Sequence, residues 1–377
     1  MLDPGQFVHQ LKDRGFSFFS GVPCSYLKGL INSAQDRGEY IIAANEGDAV
    51  AVCAGAYMGG KRPVVLMQNS GLTNAMSPLT SLCAVFKIPM LVFVSLRGEE
   101  GVSDEPQHAL TGRITIPLLE LMGIAWEYLS DNPEDAAGQL DRAARIIEPG
   151  EMFAFVVRKG TFAPYPAPRN EGVHVPSTRT ESPSGRDDPP LRSDALDVIR
   201  SAKDCHTFLI ATTGYTSREL SVTGDERNEF YMIGSMGCAA SIGLGLARAR
   251  PDRFFITVDG DGALLMRLGS LATIGWYRPK NLLHILLDNN SYESTGGQMT
   301  VSGAVDFTGT AASCGYPKAV HAHNLEELNR YLSAWKQDPE LTFIHLKIQQ
   351  GTCENLGRPA TLPPQMKERF MNSLGGP

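Results

Sequence analysis

The sequence lacks the features by which several classes of protein are recognised. Its seven cysteines are odd in number and scattered, and no CxxC or paired Cys/His spacing indicates a zinc site or a disulfide framework. No apolar run reaches the roughly 18 residues of a membrane span, and the N-terminus does not have the basic and apolar segments of an export signal. We therefore expect a soluble, cytoplasmic protein with reduced thiols and no membrane partner. The cysteines are Cys24, Cys53, Cys83, Cys205, Cys238, Cys314 and Cys353.

Positive charge is also scarce. The 377 residues include 34 Lys and Arg against 41 Asp and Glu, so the net charge of −7 does not favour nonspecific binding of nucleic acid. Charged residues make up 20% and hydrophobic residues 42% of the chain, which excludes a disordered chain, a coiled coil and a collagen. The composition is that of a globular protein, and it leaves open a binding site for a small molecule.

The length of the chain predicts two domains, since a single domain usually has roughly 100 to 200 residues. Residues 164–190 contain seven prolines and almost no large apolar side chains. This composition favours an extended and exposed linker. We therefore predict one domain over residues 1–163 and a second over residues 191–377.

Short apolar runs occur in both halves and predict strands that are buried on both faces of a parallel sheet. Helical patterns separate them, so the fold class is α/β, with two doubly wound parallel-sheet domains. In such sheets, ligands bind beyond the carboxyl ends of the strands. The runs are FSFF (16–19), IIAA (41–44), VVLM (64–67), MLVFV (90–94), IAWEYL (124–129), MFAFVV (152–157), TFLIAT (207–212), FYMI (230–233), FFITV (254–258), LLHILL (282–287) and TFIHL (342–346).

Two neighbouring strand ends in the second half carry oxygen ligands. FFITV leads into Asp259-Gly260-Asp261-Gly262 at the start of a helix, where glycines and the helix N-terminus favour a bound phosphate. LLHILL leads into Asp288-Asn289-Asn290-Ser291. A carboxylate can lie beside a bound phosphate if a divalent cation such as Mg²⁺ lies between the two negatively charged groups. The alternative is that both segments only form turns, as such dipeptides commonly do.

A carboxylate in the first half also follows a strand. Glu46 comes after IIAA and opens a helix whose following turns are nearly all small and apolar. A Glu at a helix start is ordinarily solvated and favoured by the helix dipole. Because this helix is predicted to be buried, Glu46 is a candidate for a functional role.

Taken together, these segments resemble the thiamine diphosphate (ThDP) enzymes. The resemblance rests on Gly260-Asp261-Gly262 followed by Asn289, with Tyr292 three residues beyond. It implies that ThDP and Mg²⁺ are cofactors, and that Asp261, Asn289 and the Ser291 carbonyl ligate the metal. A shift of one residue to Asn290 stays open.

The resemblance also implies the residues that contact ThDP. Met236 would support the bent shape of the cofactor, and the Thr213 loop would supply hydroxyl and amide groups. Glu46 would bind N1′ of the aminopyrimidine ring. Since the two kinds of domain normally meet across subunits in this family, a homodimer or larger homo-oligomer is implied. The cofactor-binding set is Glu46, Thr213, Gly214, Tyr215, Gly234, Ser235, Met236, Gly260, Asp261, Gly262, Ala263, Asn289, Ser291 and Tyr292.

The chain lacks the central domain of larger ThDP decarboxylases, which indicates a compact member of the family. The segments GVPCSYLKGL, AANEGDAVAVCAGA, MQNSGLTNAMSPLTSL, RGEEGVSDEPQH and DNNSYESTGGQ resemble the decarboxylases that act on 3-phosphonopyruvate or 3-sulfopyruvate. The implied reaction is decarboxylation of a small 2-oxo acid, in phosphonate biosynthesis including antibiotic biosynthesis. A carboligase and a non-catalytic ThDP-binding subunit remain alternatives.

Polar residues near the strand ends of the first half are candidates for contact with the anionic substrate. His108 can shuttle a proton because histidine titrates near neutrality. Arg97 and Arg113 can bind an anion, although exposed arginines often serve only solubility. Cys24 stands where related enzymes commonly have Asp, which puts an acid/base role there in doubt. The predicted catalytic residues are Glu46, His108 and Ser25, and the predicted substrate contacts are Ser25, Asn69, Ser70, Arg97, Gln107 and His108.

Overall fold

A computed structural model of the chain divides into two compact units, Met1–Gly172 and Val173–Pro377. The structure describes residues 1–38, 40–168, 177–180, 188–352 and 356–375. Most of the predicted linker, residues 164–190, lies outside the described residues, so its extended form and the predicted domain bounds stay predictions. Cys353 lies outside them as well, and no disulfide joins the other six cysteines.

The first unit is a parallel sheet of strand order β2-β1-β3-β4-β6-β5 with helices between its strands. Its strands are β1 (Phe16–Gly21), β2 (Tyr40–Ile42), β3 (Arg62–Gln68), β4 (Met90–Ser95), β5 (Ala125–Tyr128) and β6 (Met152–Val157). Its helices are α1 (Pro4–Asp13), α2 (Lys28–Asp36), α3 (Glu46–Met58), α4 (Asn69–Pro78), α5 (Ala84–Phe86), α6 (Ala109–Leu121) and α7 (Pro133–Ile147).

The second unit repeats this architecture in a parallel sheet of order β7-β14-β15-β11-β10-β8-β9. Its strands are β7 (Thr178–Thr180), β8 (Thr207–Ala211), β9 (Glu229–Tyr231), β10 (Phe254–Gly260), β11 (Leu282–Asp288), β14 (Lys318–Ala322) and β15 (Thr342–Lys347), with a separate antiparallel pair, β12 (Ser291–Tyr292) and β13 (Gln298–Met299). Its helices are α8 (Arg192–Ser201), α9 (Tyr215–Thr223), α10 (Ala239–Ala249), α11 (Asp261–Met266), α12 (Ser270–Tyr277), α13 (Phe307–Ser313), α14 (Leu325–Gln337) and α15 (Pro363–Ser373).

All eleven predicted apolar runs form strands, which confirms the predicted α/β class. The central strands β4, β6 and β11 are buried along their whole length because helices cover both faces of each sheet. β5 lies at a sheet edge and is only partly buried. β14 was not predicted, since the polar Lys318 and His321 interrupt its apolar run.

Helix starts carry the expected capping residues. Asp3 accepts a hydrogen bond from the Gln6 N–H at the start of α1, and Asn132 caps α7 in the same way. At the start of α3, the Asn45 side chain accepts from the Gly47 N–H at 2.8 Å. This cap fixes where α3 begins and therefore where Glu46 lies.

In each unit the strand order reverses at one point, between β1 and β3 in the first sheet and between β8 and β10 in the second. The connections leave these neighbouring strands toward opposite sides, so a crevice opens beyond their carboxyl ends. The predicted functional residues of both halves follow these strands and their neighbours. Among the described residues, no helix has the length and apolar character needed to cross a membrane.

Candidate active site

A cleft at the strand ends of the second unit contains the predicted metal ligands. Asp261 is the first residue of α11, directly after β10, and Asn289 follows the neighbouring strand β11. Both line the cleft together with Ser291. The Asp261 carboxylate is buried and accepts a hydrogen bond from the Thr300 hydroxyl. A carboxylate and an amide side chain therefore follow adjacent strands and line the same cleft.

The structure distinguishes between the two neighbouring asparagines. The Asn290 side chain donates to Ser302 and accepts from Lys347 Nζ at 2.9 Å. Its backbone has a φ of 56°, in the left-handed region, which turns the chain away after β11. Asn289 lines the cleft, and Asn290 is not among the residues that line it. This placement favours Asn289 as the ligand.

A network behind the cleft holds Asp288, the last residue of β11. Its carboxylate lies 3.0 Å from His345 Nε2 and accepts from Lys347 Nζ at 2.6 Å and from the Ser302 hydroxyl at 3.1 Å. Burial raises the pKa of Asp288, but the hydrogen bonds from His345 and Lys347 outweigh it and hold the pKa well below its usual range. Asp288 thus anchors the turn that presents Asn289.

The oxygen atoms of the cleft fit a divalent cation. Burial raises the pKa of Asp261, and the negative charge of Asp288 raises it further. A cation at Asp261 would offset both effects. Within the described residues, the buried hydroxyls of Thr212 and Ser291, which also line the cleft, have no hydrogen-bond partner. Carboxylate, amide and carbonyl oxygens are the ligands that Mg²⁺ prefers, so the donor set is suited to this metal.

The wall of the cleft is formed by residues of the loops after β8 and β9 and by Tyr292 of β12. A Cβ atom at Gly262 would lie 2.9 Å from Tyr292 Cδ1 and 3.2 Å from Met236 Cε, so only glycine lets these two side chains approach α11. Gly234 and Ser235 are not among the lining residues, but the Gly234 N–H donates to the Thr213 hydroxyl at 3.1 Å. The other predicted cofactor-binding residues of the second unit all line the cleft: Thr213, Gly214, Tyr215, Met236, Gly260, Asp261, Gly262, Ala263, Asn289, Ser291 and Tyr292.

Sequence reasoning missed a buried ionic cluster in this cleft. Arg192, the first residue of α8, donates to Glu219 at 2.9 Å and also to Glu293. Glu293 accepts in turn from Asn289 Nδ2 at 2.9 Å. The cluster therefore holds the amide nitrogen of Asn289. Its Oδ1 accepts from the Ser291 N–H at 3.1 Å and keeps a second lone pair for a cation. Arg192 and Glu293 are about a hundred residues apart in sequence. Glu293 lies within DNNSYESTGGQ, but that segment gives no sign of its pairing with Arg192.

In the first unit, Glu46 follows β2 and begins α3. Its side chain is half-buried, and its Oε2 accepts a hydrogen bond from Asn74 Nδ2 at 2.9 Å. Asn74 belongs to α4, which packs against α3. The carboxylate is thus held by a neighbouring helix.

The predicted anion ligand Arg97 is already paired. Its guanidinium forms a two-pronged ion pair with the buried carboxylate of Asp104, stacks 4.9 Å from the Tyr26 ring, and donates to the Ser25 hydroxyl at 3.1 Å. The Arg97 hydrogen bonds hold the pKa of Asp104 well below its usual range. Asp104 also accepts from the Gly98 N–H at 2.9 Å. Arg97 therefore orients Ser25 and shares its charge with Asp104.

The residues after β3 are linked to those after β4. Asn69 is buried, and its Nδ2 donates to the Arg97 carbonyl at 2.8 Å and to the Thr115 hydroxyl at 3.0 Å. The Gln68 amide donates to the Ser70 hydroxyl at 2.7 Å. The structure therefore brings Ser25, Asn69 and Arg97 together through this network.

The remaining predicted residues lie around the start of α6. His108 is buried, and its Nδ1 has no hydrogen-bond partner in the part of the chain that the structure describes. Gln107 and Arg113 are exposed. Nothing in these contacts joins Gln107 or Arg113 to the Arg97 network, so their predicted roles stay predictions.

Comparison with known proteins identifies relatives of both units. Residues 5–116 match the model of the thiamine pyrophosphate enzyme N-terminal TPP binding domain, and residues 213–346 match that of the C-terminal TPP binding domain. A phosphonopyruvate decarboxylase of Streptomyces hygroscopicus is 40% identical, over 98% of this chain and 93% of the relative. A sulfopyruvate decarboxylase of Methanosarcina acetivorans is 30% identical, over 97% of this chain and 96% of the relative.

A solved structure shares the fold at much lower identity. The 4-hydroxybenzoylformate decarboxylase of Rhodococcus jostii RHA1 is 13% identical, with a TM-score of 0.70, and the match covers 93% of this chain and all of that one. At this identity the likeness concerns the fold alone.

Proposed function

Because the chain belongs to the thiamine pyrophosphate enzyme family, with thiamine diphosphate as its cofactor, we propose that it decarboxylates 3-phosphonopyruvate to phosphonoacetaldehyde and CO₂. The observation that carries this proposal is the 40% identity, over nearly the whole of both chains, to a phosphonopyruvate decarboxylase. We place the reaction in the cytoplasm and in phosphonate and antibiotic biosynthesis.

The second unit would bind the diphosphate and the metal. Asp261, Asn289 and the Ser291 carbonyl would hold Mg²⁺ against the diphosphate, supported by the buried oxygen donors of the cleft. The Thr213 hydroxyl and the Gly214 backbone, both in the loop after β8, would contact the cofactor. Together these residues orient the cofactor and neutralise its charge.

The first unit would control protons and the substrate. When bound, the cofactor supplies the carbon nucleophile and the electron sink for loss of CO₂. Glu46 would accept a hydrogen bond from the aminopyrimidine ring, and Ser25, Asn69 and Ser70 would contact the substrate. Gln107 and His108 are further candidates for substrate contact. His108 Nδ1, which has no hydrogen-bond partner among the described residues, would move a proton.

The substrate assignment is tested by measuring CO₂ release from 3-phosphonopyruvate and 3-sulfopyruvate in parallel with the Mg²⁺- and ThDP-loaded protein. The sulfopyruvate decarboxylase relative supports the sulfonate as a second candidate. A higher kcat/KM for 3-phosphonopyruvate is expected. A higher value for 3-sulfopyruvate would replace the proposal with the second candidate. Cofactor binding without CO₂ release from either acid would instead favour a non-catalytic ThDP-binding subunit.

We also propose that the protein is a homodimer or larger homo-oligomer, in which Glu46 of one protomer completes the cleft of its partner. Glu46→Gln and Asp261→Ala would then inactivate complementary halves of the site. After the two inactive variants are mixed and allowed to exchange subunits, about a quarter of the sites should be intact, because one site of each mixed dimer is restored. No recovery, with exchange verified by mass spectrometry, would refute the shared site.

A further inference from the structure

Helix α4 shapes the space in which the Glu46 carboxylate lies. Gly71, in the first turn of α4, is buried beside this side chain. A Cβ atom at Gly71 would lie 2.5 Å from Glu46 Cγ and would also overlap Glu46 Cδ and Oε1. Any residue larger than glycine must therefore displace the carboxylate.

The same face of α4 supplies the hydrogen bond that holds the carboxylate. Asn74 is three residues after Gly71, so the two positions are neighbours on one side of the helix. Asn74 Nδ2 donates to Glu46 Oε2 at 2.9 Å. One oxygen of Glu46 is held by this bond, and the other, Oε1, lies over Gly71. The space left by Gly71 and the hydrogen bond donated by Asn74 together fix the direction of the carboxylate.

We propose that Gly71 and Asn74 are positioning residues that set the placement of the Glu46 carboxylate for the reaction. This inference rests on the proposed function, in which Glu46 acts on the cofactor. Neither residue needs to contact the cofactor for this role.

The decisive variant is Gly71→Ala. The atoms that the new methyl group meets belong to the Glu46 side chain, which can rotate, so the fold is expected to survive while the carboxylate moves. The matched control is Gly138→Ala in α7, where a Cβ would meet only Arg142 Nη1 at 3.8 Å. A misplacement of about 1 Å should reduce kcat by roughly 100-fold. The KM and the cofactor Kd should change little.

Crystal structures of the cofactor-free Gly71→Ala and Gly138→Ala proteins give a readout that does not depend on activity. The inference predicts a displaced Glu46 carboxylate in Gly71→Ala only, with similar thermal unfolding midpoints for the two variants. A carboxylate that keeps its place would overturn the inference, and so would a displaced carboxylate with an unchanged kcat.

Asn74 is tested by Asn74→Ala and Asn74→Asp, with Thr73→Ala at the neighbouring exposed position of the same helix as the control. Loss of the donor should lower kcat by roughly tenfold, as expected for a hydrogen bond to a charged group. The added charge in Asn74→Asp should repel the Glu46 carboxylate, so kcat should fall further than in Asn74→Ala while KM stays near the wild-type value. A wild-type kcat in Asn74→Asp, or a loss confined to KM, would count against the role of Asn74.

Failure of the proposed function can be told apart from failure of this inference. If the wild-type protein releases no CO₂ from either acid, the reaction assignment fails. The position of Glu46 in the Gly71→Ala crystal still decides whether α4 places the carboxylate.

Discussion

The two units have the same sheet topology but carry different chemistry at equivalent strand ends. The first sheet runs β2-β1-β3-β4-β6-β5, and the second follows the corresponding order once its outer strand β7 is set aside. Equivalent strands are followed by Ser25, Glu46, Asn69 and Arg97 in the first unit and by Thr213, Met236, Asp261 and Asn289 in the second.

This difference separates two tasks. The second unit places hard oxygen donors in one cleft, which suits a cation and a diphosphate. The first unit places a carboxylate, a histidine and a paired arginine at its strand ends. The topology determines where functional residues lie, whereas the side chains determine what each position does. We therefore expect variants of the first unit to lose turnover and variants of the second to lose binding.

Glu46→Gln should show the largest effect and the clearest loss of turnover. The variant keeps the shape of the side chain but loses its charge, so kcat should fall by about 10³-fold, within the range of acid–base catalysis. Binding of ThDP, measured by isothermal titration calorimetry, should stay within severalfold of wild type. Unchanged turnover would remove Glu46 from the proposed mechanism.

Asp261→Ala should instead weaken cofactor binding. Loss of the buried carboxylate removes a metal ligand, so the affinity for Mg²⁺-ThDP should fall by roughly 100-fold or more. The measurement is the same calorimetric titration. If Asp261 only forms a turn, affinity will remain near that of wild type, and the metal assignment would be wrong.

A smaller effect distinguishes Asn289 from Asn290. Asn289→Ala should weaken Mg²⁺ binding by about tenfold, since it removes a neutral ligand. Asn290→Ala removes contacts to Lys347 and Ser302, so it should lower the free energy of unfolding and leave Mg²⁺ affinity nearly unchanged. The opposite pattern would transfer the ligand role to Asn290.

The smallest expected effect concerns stability in the first unit. Asp104→Asn breaks the ion pair with Arg97 and should lower the free energy of unfolding by about 2 kcal/mol at pH 7. The pKa of Asp104 is lowered in the folded protein, so its stabilisation is complete above about pH 5 and is lost as the pH falls.

Urea unfolding at pH 7 and pH 3.5 measures this effect, and the gap between wild type and Asp104→Asn should narrow in acid. Glu151→Gln, which breaks the exposed pair with Lys87, is the control and should cost less than about 0.5 kcal/mol. Equal losses for the two variants would show that the Arg97 pair is no more than a surface contact.

The sequence predicts the strand ends and the cleft well because both depend on local patterns. Apolar runs mark the strands, and Asp261 and Asn289 follow two of them directly. The sequence does not predict the pairing of Arg97 with Asp104, so from the sequence alone Arg97 is a candidate for binding the anionic substrate.

Contacts between distant segments account for the rest. Arg192 meets Glu293, and Asn74 meets Glu46, only after the chain has folded. The choice between Asn289 and Asn290 likewise depends on the direction in which each side chain leaves the backbone, which a one-residue spacing cannot specify. Contacts between distant residues and the directions of individual side chains are set only by the folded structure.

The outer strand β7 has a consequence for how the chain folds during translation. Every strand of the first sheet has been synthesised once β6 ends at Val157, so that unit can fold while the ribosome is still adding the second. β7 pairs with β14, about 140 residues later. Until then Thr178–Thr180 is an open edge. The second sheet is therefore completed late, when nearly the whole chain has been synthesised.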